Sequence, residues 1–198
     1  MPKRHIILLG HRKQHGKDTV ANIFQMLLPE KVKRTMFAKR LKQQCAERYN
    51  LDLARMEDND YKESRPEHLG GKSVRQVLIE EGCFGRSIWL PVWASGAYKE
   101  IFESSRPIGL ITDYRFPNEY SDFEEICRVN GEDPSNYVLH RVLVNRPEGR
   151  FDDDGADAEL PDSDSGSWDY TITNPETNDW IIQLQMQVSS FIVEHLGD

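Results

Sequence analysis

At 198 residues with a 38% apolar share, the chain has room for one α/β domain, or for one domain carrying inserted lobes. Its apolar runs are far too short to span a membrane, and the short stretch after the basic start is no secretory signal. The acidic net charge of −8 argues against broad duplex nucleic-acid binding.

That charge is unevenly spread. Residues 1–50 carry twelve Lys/Arg against three Asp/Glu, whereas 151–169 carry eight Asp/Glu and no Lys or Arg. A basic lobe that gathers polyanionic nucleotides explains the asymmetry economically. Cys45, Cys83 and Cys127 are odd in number and without metal-ligand spacing, so they read as reduced thiols of a cytoplasmic protein.

In chain order, His5 to Leu9 is an apolar run that meets a turn rich in Gly and basic residues, ending Gly16-Lys17-Asp18-Thr19. Val20, Ile23, Phe24, Leu27 and Leu28 then fall on one helical face, and Pro29 stops it. Strand, loop, helix is the context a phosphate-binding loop requires: backbone N–H groups at the helix start face an anion, and Lys17 adds positive charge. The pattern departs from G-x-x-x-x-G-K-[ST] in two places. His11 stands where the first Gly belongs, with Gly10 one position early, and Asp18 precedes the hydroxyl of Thr19. Either Asp18 or Thr19 suits Mg²⁺; a solvated basic turn is the plain alternative.

Val32 to Ala38 reads as a short second strand, and Lys39-Arg40-Leu41-Lys42 opens a helix through Tyr49. Those cations fit a phosphate contact or a solvated face about equally. Residues 50–72 show no sustained period and read as a mobile connection. Ser73 opens a capping box with Gln76, and Arg75 sits in a first turn where the helix dipole disfavours a cation. Gly82 and Gly85 bracket an expected turn before Arg86; Trp89 and Trp93 are packing residues or stacking walls for a base.

Pro107 to Asp113 is a buried strand ending in a carboxylate, and Tyr114-Arg115-Phe116-Pro117-Asn118-Glu119 crowds a cation and an acid into the turn beyond. In a parallel sheet Asp113 would lie at the edge where ligands collect; a structural ion pair is the alternative. Ser121 to Glu124 has a capping-box spacing, and its helix stops at Asn130-Gly131. Tyr137 to Val144 is another strand, placing Arg146 at the same edge as Asp113. Residues 148–169 form a long polar loop of the kind that serves as a lid. Tyr170 to Thr173 is a last strand, and a helix follows Asn178 with Trp180, Ile181, Leu184, Val188, Phe191 and Ile192 on one face. His5, His68, His140 and His195 read as structural.

Together, G-K-D-T-V-A at 16–21, F-A-K-R-L-K at 37–42, D-Y-R-F-P-N-E at 113–119, N-R-P at 145–147, E-L-P-D-S-D at 159–164 and W-D-Y-T-I-T-N-P-E-T-N at 168–178 resemble the deoxynucleoside monophosphate kinases of bacteriophages, across nearly the whole chain. The resemblance implies a three-layer P-loop NTPase-type α/β fold, a mostly parallel sheet flanked by helices, with an inserted monophosphate-binding lobe at 39–106 and a lid at 146–169. It implies transfer of the γ-phosphoryl of ATP to a deoxynucleoside monophosphate, with Mg²⁺, in nucleotide biosynthesis in the host cytoplasm. His15, Gly16, Lys17, Asp18, Thr19 and Val20 would bind ATP, and Asp18, Thr19 and Asp113 the magnesium. Arg75, Arg86, Trp93, Asp113, Arg115 and Glu119 would form the acceptor site, and Lys17, Asp18, Asp113 and Arg146 would serve the transfer. No nucleic acid or membrane partner is expected, and a homodimer stays open. His11 and Gln14 depart from the family's loop.

Rival readings are a P-loop kinase of another phosphorylated metabolite, of the phosphomevalonate or dephospho-coenzyme A type, and a nucleotide-binding module without turnover. A structural or nucleic-acid-binding protein using the basic half is a third.

Overall fold

The computed structural model describes residues 2–10, 14–147 and 168–197. The chain divides into two compact units, one made of Met1–Met36 with Lys99–Asp198 and the other of Phe37–Tyr98.

The first unit opens with β1 (Arg4–Gly10), α1 (Lys17–Leu27) and β2 (Val32–Thr35). The chain re-enters it in the last turn of a helix spanning Val92–Phe102. It continues with β3 (Ile108–Tyr114), the helices Asn118–Ser121 and Phe123–Asn130, β4 (Tyr137–Asn145), β5 (Tyr170–Thr173) and a helix at Trp180–Phe191 that ends in a π-helical turn. In chain order the helices after α1 are α2 (Ala38–Tyr49), α3 (Asn59–Glu63), α4 (Val74–Ile88), α5 (Val92–Phe102), α6 (Asn118–Ser121), α7 (Phe123–Asn130) and α8 (Trp180–Phe191).

The five strands form one parallel sheet in the order β2-β3-β1-β4-β5, flanked by helices in a three-layer α/β arrangement. β1 lies at its centre. Ile6, Ile7, Leu8 and Leu9 are all fully buried, which is why its sequence is a continuous apolar run and not an alternation. Val20, Ile23 and Phe24 of α1 pack with Leu184, Val188 and Phe191 of α8 in one core. Phe24 meets Phe191 edge-on at 5.7 Å, a pair that adds about 1 kcal/mol to the gain from burial. Each such side chain contributes roughly 1.5–3 kcal/mol when fully buried.

The second unit has its own core: Cys45 of α2, Leu51, Met56, Tyr61 of α3, and Val74 and Val77 of α4. Two sequence expectations are corrected here. Residues 50–72 are built, not a bare connection: 3₁₀ turns at Leu53–Arg55 and Glu67–Leu69 flank α3, and Met56 is fully buried. Asp52 and Asp58 cap the first two of these elements, which are too short to leave a period in the sequence. Gly82 and Gly85 make no turn, since both lie inside α4. A Cβ on Gly85 would stand 2.4 Å from the Trp93 ring, so this glycine permits a close approach. The Ser73–Gln76 capping box forms as read.

In the first unit, the expected capping box at 121–124 does not form. Ser121 ends α6, and α7 starts after Asp122 without a side-chain cap. Gly131 closes α7 in the left-handed conformation, as its position predicts. Among the described residues, no helix is long and apolar enough to cross a membrane.

Candidate active site

The parallel sheet gathers three sequence motifs at one edge. Gly10, the last residue of β1, is level with Tyr114 of β3 and with Leu143 of β4. Asp113 therefore lies one residue before the end of the neighbouring strand on one side, and Arg146 follows the neighbouring strand on the other. Adjacent strands lie about 4.8 Å apart, so the segments leaving β1, β3 and β4 converge on a small region.

α1 begins at Lys17, earlier than the apolar periodicity alone marks it, with Gly16 as its N-cap. Gly16 has φ 97° and Gln14 has φ 65°, so both occupy the left-handed region. Gly16 is confined to glycine twice over: by that φ, and because a Cβ would meet the Asn174 amide nitrogen at 2.6 Å. Gln14 adopts the same region at a steric cost of about 1 kcal/mol. His11 lies outside the described residues.

His15, expected among the ATP-binding residues, is buried and braced. Its Nδ1 accepts the backbone N–H of Arg146 at 3.0 Å, and its carbonyl accepts the Asn174 side-chain amide at 3.1 Å. Val20, expected in the same set, has a core side chain, and its N–H bonds the Gly16 carbonyl at 3.0 Å.

Asp18, expected among the ATP and Mg²⁺ residues, lies in the first turn of α1. Its carboxylate, 83% exposed, pairs with Arg34 of β2, which also donates to Asn22 at 2.8 Å. Of the other oxygens expected to hold Mg²⁺, the Thr19 hydroxyl in the first turn of α1 and the Asp113 carboxylate are both half-buried. Two hard oxygens fit a magnesium ion that takes its remaining ligands from phosphates and water. Such an ion needs no all-protein cage, and among the described residues no group of three His, Cys, Asp or Glu forms one.

Beyond β3 the chain folds back on itself. Glu119 is 7% exposed and accepts the N–H groups of Arg115 at 2.8 Å and Phe116 at 3.1 Å. Burial pushes its pKa up to about 8, the charge of Asp113 adds to the rise, and the two N–H bonds oppose it. Glu119 thus shapes the loop from beneath. Arg115 stays half-buried above it.

Arg146 is held by Glu176, with Nε at 3.1 Å and Nη2 at 3.0 Å from the same carboxylate oxygen. The expected lid at 146–169 falls outside the described residues from 148 to 167. Sequence reasoning missed Arg34, Asn174 and Glu176. The last two flank Pro175 just after a strand end, and nothing local in the sequence marks their contacts.

In the second unit, Arg75 pairs with Glu63, and Arg86 donates weakly to Cys83 at 3.6 Å. Lys42 is taken up by Glu57 at 2.6 Å. Of the two readings of Trp93, packing residue or stacking wall, the second unit shows the packing. Trp93 is 7% exposed, lies over Gly85 and donates its indole N–H to the Gly82 carbonyl at 3.0 Å.

The fold is a three-layer α/β arrangement around a five-stranded parallel sheet, consistent with a P-loop NTPase-like fold. Among solved structures, the chain is similar to the crystal structure of TT1252 from Thermus thermophilus, at a TM-score of 0.51 and 13% identity over 99% of both chains. At that identity the likeness speaks for the fold alone. No family model and no curated protein matches the sequence.

Proposed function

We propose that the protein transfers the γ-phosphoryl of ATP to a deoxynucleoside monophosphate, giving a deoxynucleoside diphosphate and ADP. The observation that carries this reading is the Gly16-capped start of α1, with Lys17 as its first residue, at the edge that Asp113 shares. A helix start beside a lysine holds phosphate, and a carboxylate on the adjacent strand suits the accompanying Mg²⁺. The acceptor is assigned on the resemblance in D-Y-R-F-P-N-E at 113–119.

Chemically, an oxygen of the acceptor phosphate bonds to the γ-phosphorus as the bond to the β–γ bridging oxygen breaks and ADP leaves. The nucleophile is already an anion, so no general base is required. Lys17 and the α1 N–H groups hold the donor phosphates, and Arg115 orients the acceptor. Arg146 exchanges Glu176 for the phosphoryl group in flight, where a planar guanidinium fits the spread charge. Mg²⁺, when bound to Thr19 and Asp113, supplies charge neutralisation across the donor phosphates. Transfer of label from γ-labelled ATP into a deoxynucleoside diphosphate tests this reading. Label found only in inorganic phosphate, with every monophosphate, would refute it.

A further inference from the structure

We propose that Asn174 is a positioning residue that sets the donor-phosphate loop; this rests on the kinase reading above. Asn174 lies just beyond β5, 6% exposed, and its backbone N–H is anchored on the Asn145 carbonyl at 2.7 Å. Its side-chain amide reaches across 159 positions of sequence to the His15 carbonyl at 3.1 Å.

The consequence follows from peptide geometry. In a trans peptide the C=O and the next N–H point in opposite directions. Drawing the His15 carbonyl toward Asn174 therefore turns the Gly16 N–H the other way, along with the start of α1. The backbone N–H of Arg146 fixes the same residue through the His15 ring at 3.0 Å, so His15 is held by both its carbonyl and its side chain. Gly16 has no side chain with which to cap its own helix, and its missing Cβ is the space that the Asn174 amide fills. His15 and Gly16 are thus tied to the segment beyond β5, and Asn174 sets the aim of donors that a phosphate receives.

Affinity for MgATP, measured by calorimetry without any acceptor, tests this. Asn174→Ala should weaken MgATP binding about tenfold or more, the loss expected when a buried hydrogen bond is left half-made. Asn174→Asp should weaken it at pH 8, where a carboxylate faces a carbonyl. Relative to the parent protein, it should recover toward pH 6, where the protonated acid donates again. Gln187→Ala is the control: it removes the 2.8 Å bonds to both the N–H and the carbonyl of Thr173, loosening β5 without touching His15. Its MgATP affinity should stay within about threefold of the parent.

Should one Asn174 variant not fold, the other carries the test. Equal weakening by Gln187→Ala, or parental affinity in a folded Asn174 variant, would overturn the assignment. A parent protein that binds no MgATP would instead refute the kinase reading, so the two failures are distinguishable.

Discussion

The buried carboxylate of Glu119 accepts the backbone N–H of Arg115, four residues upstream, at 2.8 Å, and that of Phe116 at 3.1 Å. One acid thus closes the turn that leaves β3, directly after Asp113. Its pKa is raised to about 8, first by burial and then by Asp113. The folded protein therefore binds a proton at Glu119 that the unfolded chain releases near pH 4.5. Stability from this group is full below that value and is lost as pH rises through about 8. Glu119→Gln keeps an acceptor and removes the charge. Its thermal midpoint should gain on the parent's as pH goes from 6 to 9; a constant difference would contradict the raised pKa.

Asp18 and Asp113 should separate sharply. Asp18 is paired with Arg34 at an exposed position, an interaction worth about 0–1 kcal/mol. Asp18→Asn should leave turnover within about threefold of the parent and change stability little. Asp113→Asn should lower turnover by about a hundredfold or more, the scale of one preorganised electrostatic group. Titrating Mg²⁺ in the same assays checks the assignment: the magnesium requirement should shift for Asp113→Asn alone.

Gly16→Ala meets two penalties, the left-handed φ of 97° and the Asn174 amide at 2.6 Å. Backbone strain of this kind costs about 1–3 kcal/mol. Chemical denaturation should show a loss of that size, together with weakened ATP binding.

The histidine cluster gives a pH dependence of opposite sense. His5 Nδ1 and His140 Nε2 lie 2.9 Å apart, and the rings of Phe191 and His195 meet His140 edge-on. Burial lowers the pKa of His140 to about 4, with His5 and His195 adding to the fall and Asp169 opposing it. Below pH 6.5 the unfolded chain takes up a proton that the fold refuses, so stability falls as pH drops from 6.5 toward 4. At pH 5 the loss is on the order of 2 kcal/mol. His140→Phe should flatten that slope in denaturation measured from pH 7 to 5.

The central strand, α1 and the strand ending near Asp113 were legible because burial on both faces and helical periodicity leave strong local marks. Arg75, Arg86 and Trp93 were read from local sequence, where nothing reveals partners such as Glu63, or the glycine that lets Trp93 sink into α4. Asn174 was invisible for another reason. Its significance is a contact with His15 across the length of the chain, and no local pattern encodes such a contact. The short capped helices of 50–72 escaped because five residues cannot display a 3.6-residue period.

The central claim is acceptor-dependent phosphoryl transfer, and ADP release in the presence of MgATP tests it most directly, with each deoxynucleoside monophosphate added in turn. The account predicts ADP release that depends on one or more of them, with the matching diphosphate formed and the rate cut about a hundredfold or more by Lys17→Ala in a folded protein. The same slow ADP release with every acceptor and with none, unchanged by Lys17→Ala, would contradict it.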